Sequence, residues 1–146
     1  MTTKADFTSE EWETIVEGPT VAAMMVITAS SGGTFRETFA YARAWADARE
    51  HHGPSELIDA LVDEKPKLDR KKFGSDEELR AKGAELLQAV AALLGRKAKP
   101  EELDAYRNFV LAAAERVAAA HKENGEAISP EEQATLDEIR GHLGAS

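Results

Sequence analysis

Residues 18–34 pass without a charge in a chain that is otherwise rich in them, 31% of its residues being Asp, Glu, Lys or Arg. The middle of that run, VAAMMVI at 21–27, is apolar on every side of a helical wheel. A helix with no face for water belongs at the centre of a bundle or against a partner. Elsewhere the apolar positions recur at helical spacings of three and four, leaving one polar side to solvent. In the segment after the uncharged run, Phe35, Phe39, Ala42, Trp45 and Ala46 share one side and Arg36, Arg43, Asp47 and Glu50 the other. Farther on, Leu79, Gly83, Leu87, Val90 and Leu94 line up, as do Tyr106, Phe109, Val110, Ala113 and Val117, and then Leu136, Ile139 and Leu143. Gly83 costs about 1 kcal/mol of helix propensity relative to Ala, and close approach of another helix, the apolar one, is its expected compensation. No alternating stretch supports a strand.

Start signals precede these stripes. Thr8-Ser9-Glu10-Glu11 has the spacing of a capping box, in which hydroxyl and carboxylate each satisfy an orphan backbone N–H. Phe7 and Trp12 flank it as a hydrophobic staple would. Thr34 with Glu37, Ser75 with Glu78 and Ser129 with Glu132 repeat the box, and Pro100 and Pro130 stand where a first helical residue loses nothing by lacking an N–H. Stops are expected at Gly18, Gly53, Gly95, Gly125 and Gly144. These marks predict seven helices, over about 8–17, 19–30, 34–51, 55–64, 75–95, 100–123 and 130–143. The expected fold is a compact all-α bundle, one domain over 1–146, with the apolar second helix at its centre. The segment DEKPKLDRKKFG at 63–74 has Pro66, five basic residues and no stripe, and reads as a linker, chiefly 65–74, between four helices and three, with Phe73 as its anchor. It is a solvated connection or a docking patch for an acidic partner.

One punctuation occurs twice: a small-residue helix, a Gly-containing loop, then Ser or Thr followed three residues later by Glu. The copies are ASSGGTFRE at 29–37 and HKENGEAISPEE at 121–132. In this the chain resembles the tellurite-resistance TerB-like family of small helical bacterial proteins. The resemblance implies a seven-helix bundle, an association with bacterial stress systems, and acidic residues that can hold a divalent cation. By motif position Glu37 and Glu132 match that family's glutamates, while Ser31 and Asn124 stand where its loop aspartates are expected.

The net charge of −9 and a pI near 5.0 repel phosphate backbones, so no nucleic-acid partner is expected. There is no cysteine, which excludes disulfides, thiolate metal sites and a cysteine nucleophile. The first residues lack an apolar run, and the uncharged stretch is short for a bilayer, which needs about 20 mostly apolar residues. A cytoplasmic protein without a membrane span is expected.

Candidate chemistry is sparse. His51 and His52 close one helix and His121 another, where cations suit the negative end of the dipole. Glu138 and His142 share a helix face four residues apart, but two ligands do not make a metal site. Ser31-Gly32-Gly33-Thr34 lacks the Lys of a phosphate loop and reads as an interhelical turn. No Gly-x-Ser-x-Gly elbow is present. Met24 and Met25 read as core, with an oligomer interface or ligand cleft as the alternative. Glu37 and Glu132 read first as capping residues; the resemblance implies a second role for them as ligands of a divalent cation, the one cofactor in question. The resulting expectation is a non-catalytic interaction or assembly protein with a protein partner or a second copy. The alternatives are a metal- or small-ligand-binding stress protein of the TerB-like kind, or an enzyme whose site comes from scattered residues.

Overall fold

The computed structural model describes residues 4–29, 34–50, 56–64, 75–120 and 130–144. Among these a short 3-10 turn, Lys4–Asp6, precedes six α-helices: α1 (Ser9–Ala29), α2 (Thr34–Glu50), α3 (Glu56–Val62), α4 (Asp76–Lys97), α5 (Pro100–Ala120) and α6 (Pro130–His142). The all-α class is as expected. No strand occurs among the described residues, and none of their helices is long and apolar enough to cross a membrane. The linker segment 65–74 and the glycines at 53 and 125 lie outside them.

The central apolar rod is there, but it is not a separate helix. Segments 8–17 and 19–30, expected as two, form the single helix α1, which runs through Gly18 and Pro19. Every residue of 18–27 is buried. α1 packs most extensively on α4 and α5 and also touches α6 and α2, while α2 and α3 lean on α5. The two helix groups on either side of the linker therefore share one core cluster rather than forming separate cores.

Of the four expected boxes, those at Thr8 and Ser75 lie among the described side chains, and those at Thr34 and Ser129 fall outside them. At α1 the Thr8 N–H donates to Glu11 Oε1 at 2.9 Å and the Glu11 N–H to Thr8 Oγ1 at 3.1 Å, both halves of the box. The Phe7 and Trp12 rings pack 6.1 Å apart as the staple. Ser75 caps α4 by accepting from the Glu78 N–H at 3.1 Å. At α5 the Lys99 N–H reaches Glu102 Oε1 at 3.5 Å, which buries that carboxylate in the first turn.

Two stop signals mislead. Gly18 is internal to α1, and Gly95 is an exposed residue inside α4. α4 ends two residues later, at Lys97. Ala98 is already extended, φ −113° and ψ 164°, with its N–H closing on the Leu94 carbonyl at 2.8 Å. Gly144 is a true stop, at φ 73°. The face of α2 is also corrected: Tyr41 and Trp45 are buried, whereas Ala42 and Ala46, expected inside, are exposed. The side chains of residues 34–39 lie outside the described set, so Phe35, Arg36, Glu37 and Phe39 are not placed.

Gly83 behaves as its cost required. A Cβ there would come within 2.8 Å of both Met25 Sδ and Val21 Cγ1, so the absent side chain lets α4 lie against the apolar half of α1. Gly83→Val is expected to destabilise the fold by about 2 kcal/mol, because overpacking at this crossing outweighs any gain in backbone propensity. Urea denaturation measures it, and an unchanged midpoint would show that α1 and α4 do not meet at this residue.

Candidate functional site

Two buried hydroxyl hydrogen bonds meet α1 at residues 15–20. Proline within a helix removes the hydrogen bond to the carbonyl four residues back and crowds it, at about 3 kcal/mol or more. For Pro19 that carbonyl is Ile15. Tyr106 of α5 supplies the replacement, its hydroxyl donating to the Ile15 carbonyl at 2.8 Å in a fully buried position. Gly18 makes this possible, since any Cβ at that position would collide with the Tyr106 hydroxyl. It also relieves the clash between a proline ring and the preceding residue's side chain that ordinarily ends helices before Pro.

One turn along, the Thr20 and Tyr41 hydroxyls meet at 2.7 Å, also buried, and join α1 to α2. Tyr41 stands edge-on to Trp45 at 6.2 Å, and Trp45 edge-on to Phe109 at 5.5 Å, so an aromatic ladder continues from α2 to α5. The Trp45 indole N–H is buried near the Tyr41 hydroxyl without closing a hydrogen bond to it. Burial pushes both phenols up from their ordinary value of 10.0, against the weaker pull of Thr20 and Trp45 on Tyr41 and with a further push on Tyr106 from Tyr41. Both rings stay neutral through the physiological range. Their hydroxyls are engaged in buried hydrogen bonds between helices.

Around this junction, charged side chains tie helix ends together. Arg49 donates to the carbonyls of Val62 at 2.6 Å and Glu64 at 2.7 Å, capping the end of α3 from α2. Arg107 does the same for α6, donating to the Leu143 carbonyl at 2.7 Å. These are cations placed at the negative ends of helix dipoles. The Trp12 indole donates to Glu64 Oε1 at 3.1 Å. Lys97, in the last turn of α4, reaches Glu11 at 2.7 Å and the Asp6 carbonyl at 3.4 Å, and lies 5.7 Å from the centre of the Phe7 ring. The Lys97 hydrogen bond, followed by the Thr8 backbone, holds the Glu11 carboxyl below its usual range.

Glu132 is in the first turn of α6 and is almost wholly buried, 1% exposed. Its predicted capping partner Ser129 lies outside the described residues, as do His51, His52, His121, the loop 30–33 and the side chain of Glu37. The expected pairing of Glu37 with Glu132 therefore falls outside the described residues. Glu138 and His142 turn to different neighbours: Glu138 faces Arg80 at 3.8 Å, and His142 Nδ1 meets Gln88 Nε2 at 3.2 Å. Among the described residues no three His, Asp or Glu side chains are grouped to hold a metal ion. Met24 and Met25 are core residues. The sequence reading overlooked Tyr41, Arg49 and Arg107. Tyr41 was open to detection, since it lies four residues before Trp45 and so on the same face; the arginine caps had no local signal, because their partners are distant in the chain. Compared with known protein families, curated proteins and solved structures, the chain matches none.

Three outcomes follow from this geometry. Tyr106→Phe should cost about 1–3 kcal/mol, since the Ile15 carbonyl is left buried without a donor, and Tyr41→Phe nearer 1 kcal/mol, because the Thr20 hydroxyl can turn to a carbonyl of its own helix. Urea midpoints rank the two variants, and equal costs would contradict the account. At high pH the raised phenols favour the folded state fully below pH 10.0, and that contribution shrinks as pH rises and the unfolded chain ionises. Both tyrosines of the chain are buried, so phenolate absorbance should appear only together with loss of helical circular dichroism. At low pH the lowered Glu11 carboxyl has the opposite sign. Its contribution is present above pH 4.5 and lost as pH falls below it, so Glu11→Gln should flatten part of the acid limb of a melting-temperature profile.

Proposed function

We propose that the protein is a non-catalytic helical interaction or assembly protein, acting in the cytoplasm on a protein partner or a second copy of itself. The observation that carries this reading is the use made of the buried polar groups. The Tyr106, Tyr41 and Thr20 hydroxyls, which could serve chemistry elsewhere, are engaged in joining α1 to α5 and α2. They lie inside a packed core rather than facing a substrate. The acidic excess, 27 Asp and Glu against 18 Lys and Arg, favours a partner that presents basic groups.

A second reading keeps the TerB-like resemblance and assigns the chain to binding a divalent cation or small ligand in a stress response. The burial of the Glu132 carboxylate at a helix start supports it, although capping accounts for the same burial.

Light scattering on the purified chain should give a mass above 15.9 kDa, or a stoichiometric complex should form with one basic partner. A strict monomer that forms no such complex would remove the assembly reading. Calorimetric titration with calcium and magnesium tests the other. Heat and a melting shift that vanish in Glu132→Gln would favour it, and a silent titration would dismiss it.

A further inference from the structure

We propose that α1 is a jointed helix whose N-terminal arm, residues 4–17, opens as a unit about Gly18–Pro19, with the Tyr106 hydroxyl as the latch. The joint follows from Pro19. The helical ladder lacks its bond to the Ile15 carbonyl, and the substitute comes from another helix, at 2.8 Å across a site that only glycine leaves clear. Coupling between the two halves of α1 therefore runs partly through α5.

The halves are held very differently. Residues 18–27 are buried without exception. In the arm the buried side chains are Phe7, Trp12 and Ile15, while Glu10 and Glu13 are exposed. The arm's polar ties to other elements include Lys97 with Glu11 and the Asp6 carbonyl, near the surface, and the half-buried bond of Trp12 with Glu64. Interactions of that kind weaken with salt, whereas burial of the second half does not. Opening would uncover Trp12 and Ile15 and leave the rest of the core in place. Such an opening would present apolar side chains that the closed bundle keeps buried.

Native-state hydrogen exchange on the full chain tests this. Amides of 13–17 should exchange roughly tenfold or more faster than those of 23–27, through openings whose denaturant dependence is smaller than that of global unfolding and that quicken with added salt. Tyr106→Phe should speed the arm by about a further tenfold, the effect of one unsatisfied buried acceptor, while the arm stays faster than 23–27. Adding Pro19→Ala to that variant restores an N–H to the Ile15 carbonyl and should reverse most of the acceleration. The proposal is overturned if both halves of the unaltered chain exchange together, if Tyr106→Phe leaves the arm's exchange unchanged, or if Pro19→Ala does not rescue.

Discussion

A proline inside the most buried helix would ordinarily be a defect, and the bundle is arranged so that it is not. The Ile15 carbonyl, stripped of its helical donor by Pro19, accepts from Tyr106 on α5. A buried carbonyl without a partner costs about 1–3 kcal/mol, a sizeable part of the 5–15 kcal/mol by which a typical domain is stable. The register of α5 on α1 is constrained by that need. Tyr106 must arrive over Gly18, and the Val110, Ala113 and Val117 stripe follows from the same placement.

The same level of α1 gathers the other internal polar contact. Thr20 and Tyr41 bond across to α2, and the Tyr41–Trp45–Phe109 ladder returns to α5. α1, α2 and α5 are thus specified against one another by directional contacts, while α4 is set by shape, through Gly83 against Val21 and Met25. Apolar burial supplies most of the driving force but tolerates sliding, and hydrogen bonds and a missing Cβ do not. Arg49 and Arg107 then hold the ends of the short helix α3 and of α6, which have less apolar surface of their own. The Tyr106, Tyr41 and Thr20 hydroxyls are thus engaged between helices, and the chain as a whole carries an excess of acidic over basic residues.

What the sequence determined by itself is local. The capping box at Thr8–Glu11, the staple of Phe7 and Trp12, the Ser75 cap and the Pro100 start are made by residues within five of one another, so their geometry is available before any tertiary contact forms. The all-α class and the burial of 21–27 are also local, since the apolar pattern leaves no other arrangement. Gly83 was legible because a costly residue in a strong stripe implies a close neighbour. Tertiary structure decided the rest. Gly18-Pro19 is a stop by every local rule, and only a hydroxyl arriving from a residue 91 positions away in sequence turns it into the middle of a helix. Ala42 and Ala46 were misplaced because alanine is nearly neutral to burial, so the packing of Tyr41 and Trp45 chose the face of α2. The arginine caps and the separation of Glu138 from His142 likewise depend on partners that no window of sequence contains.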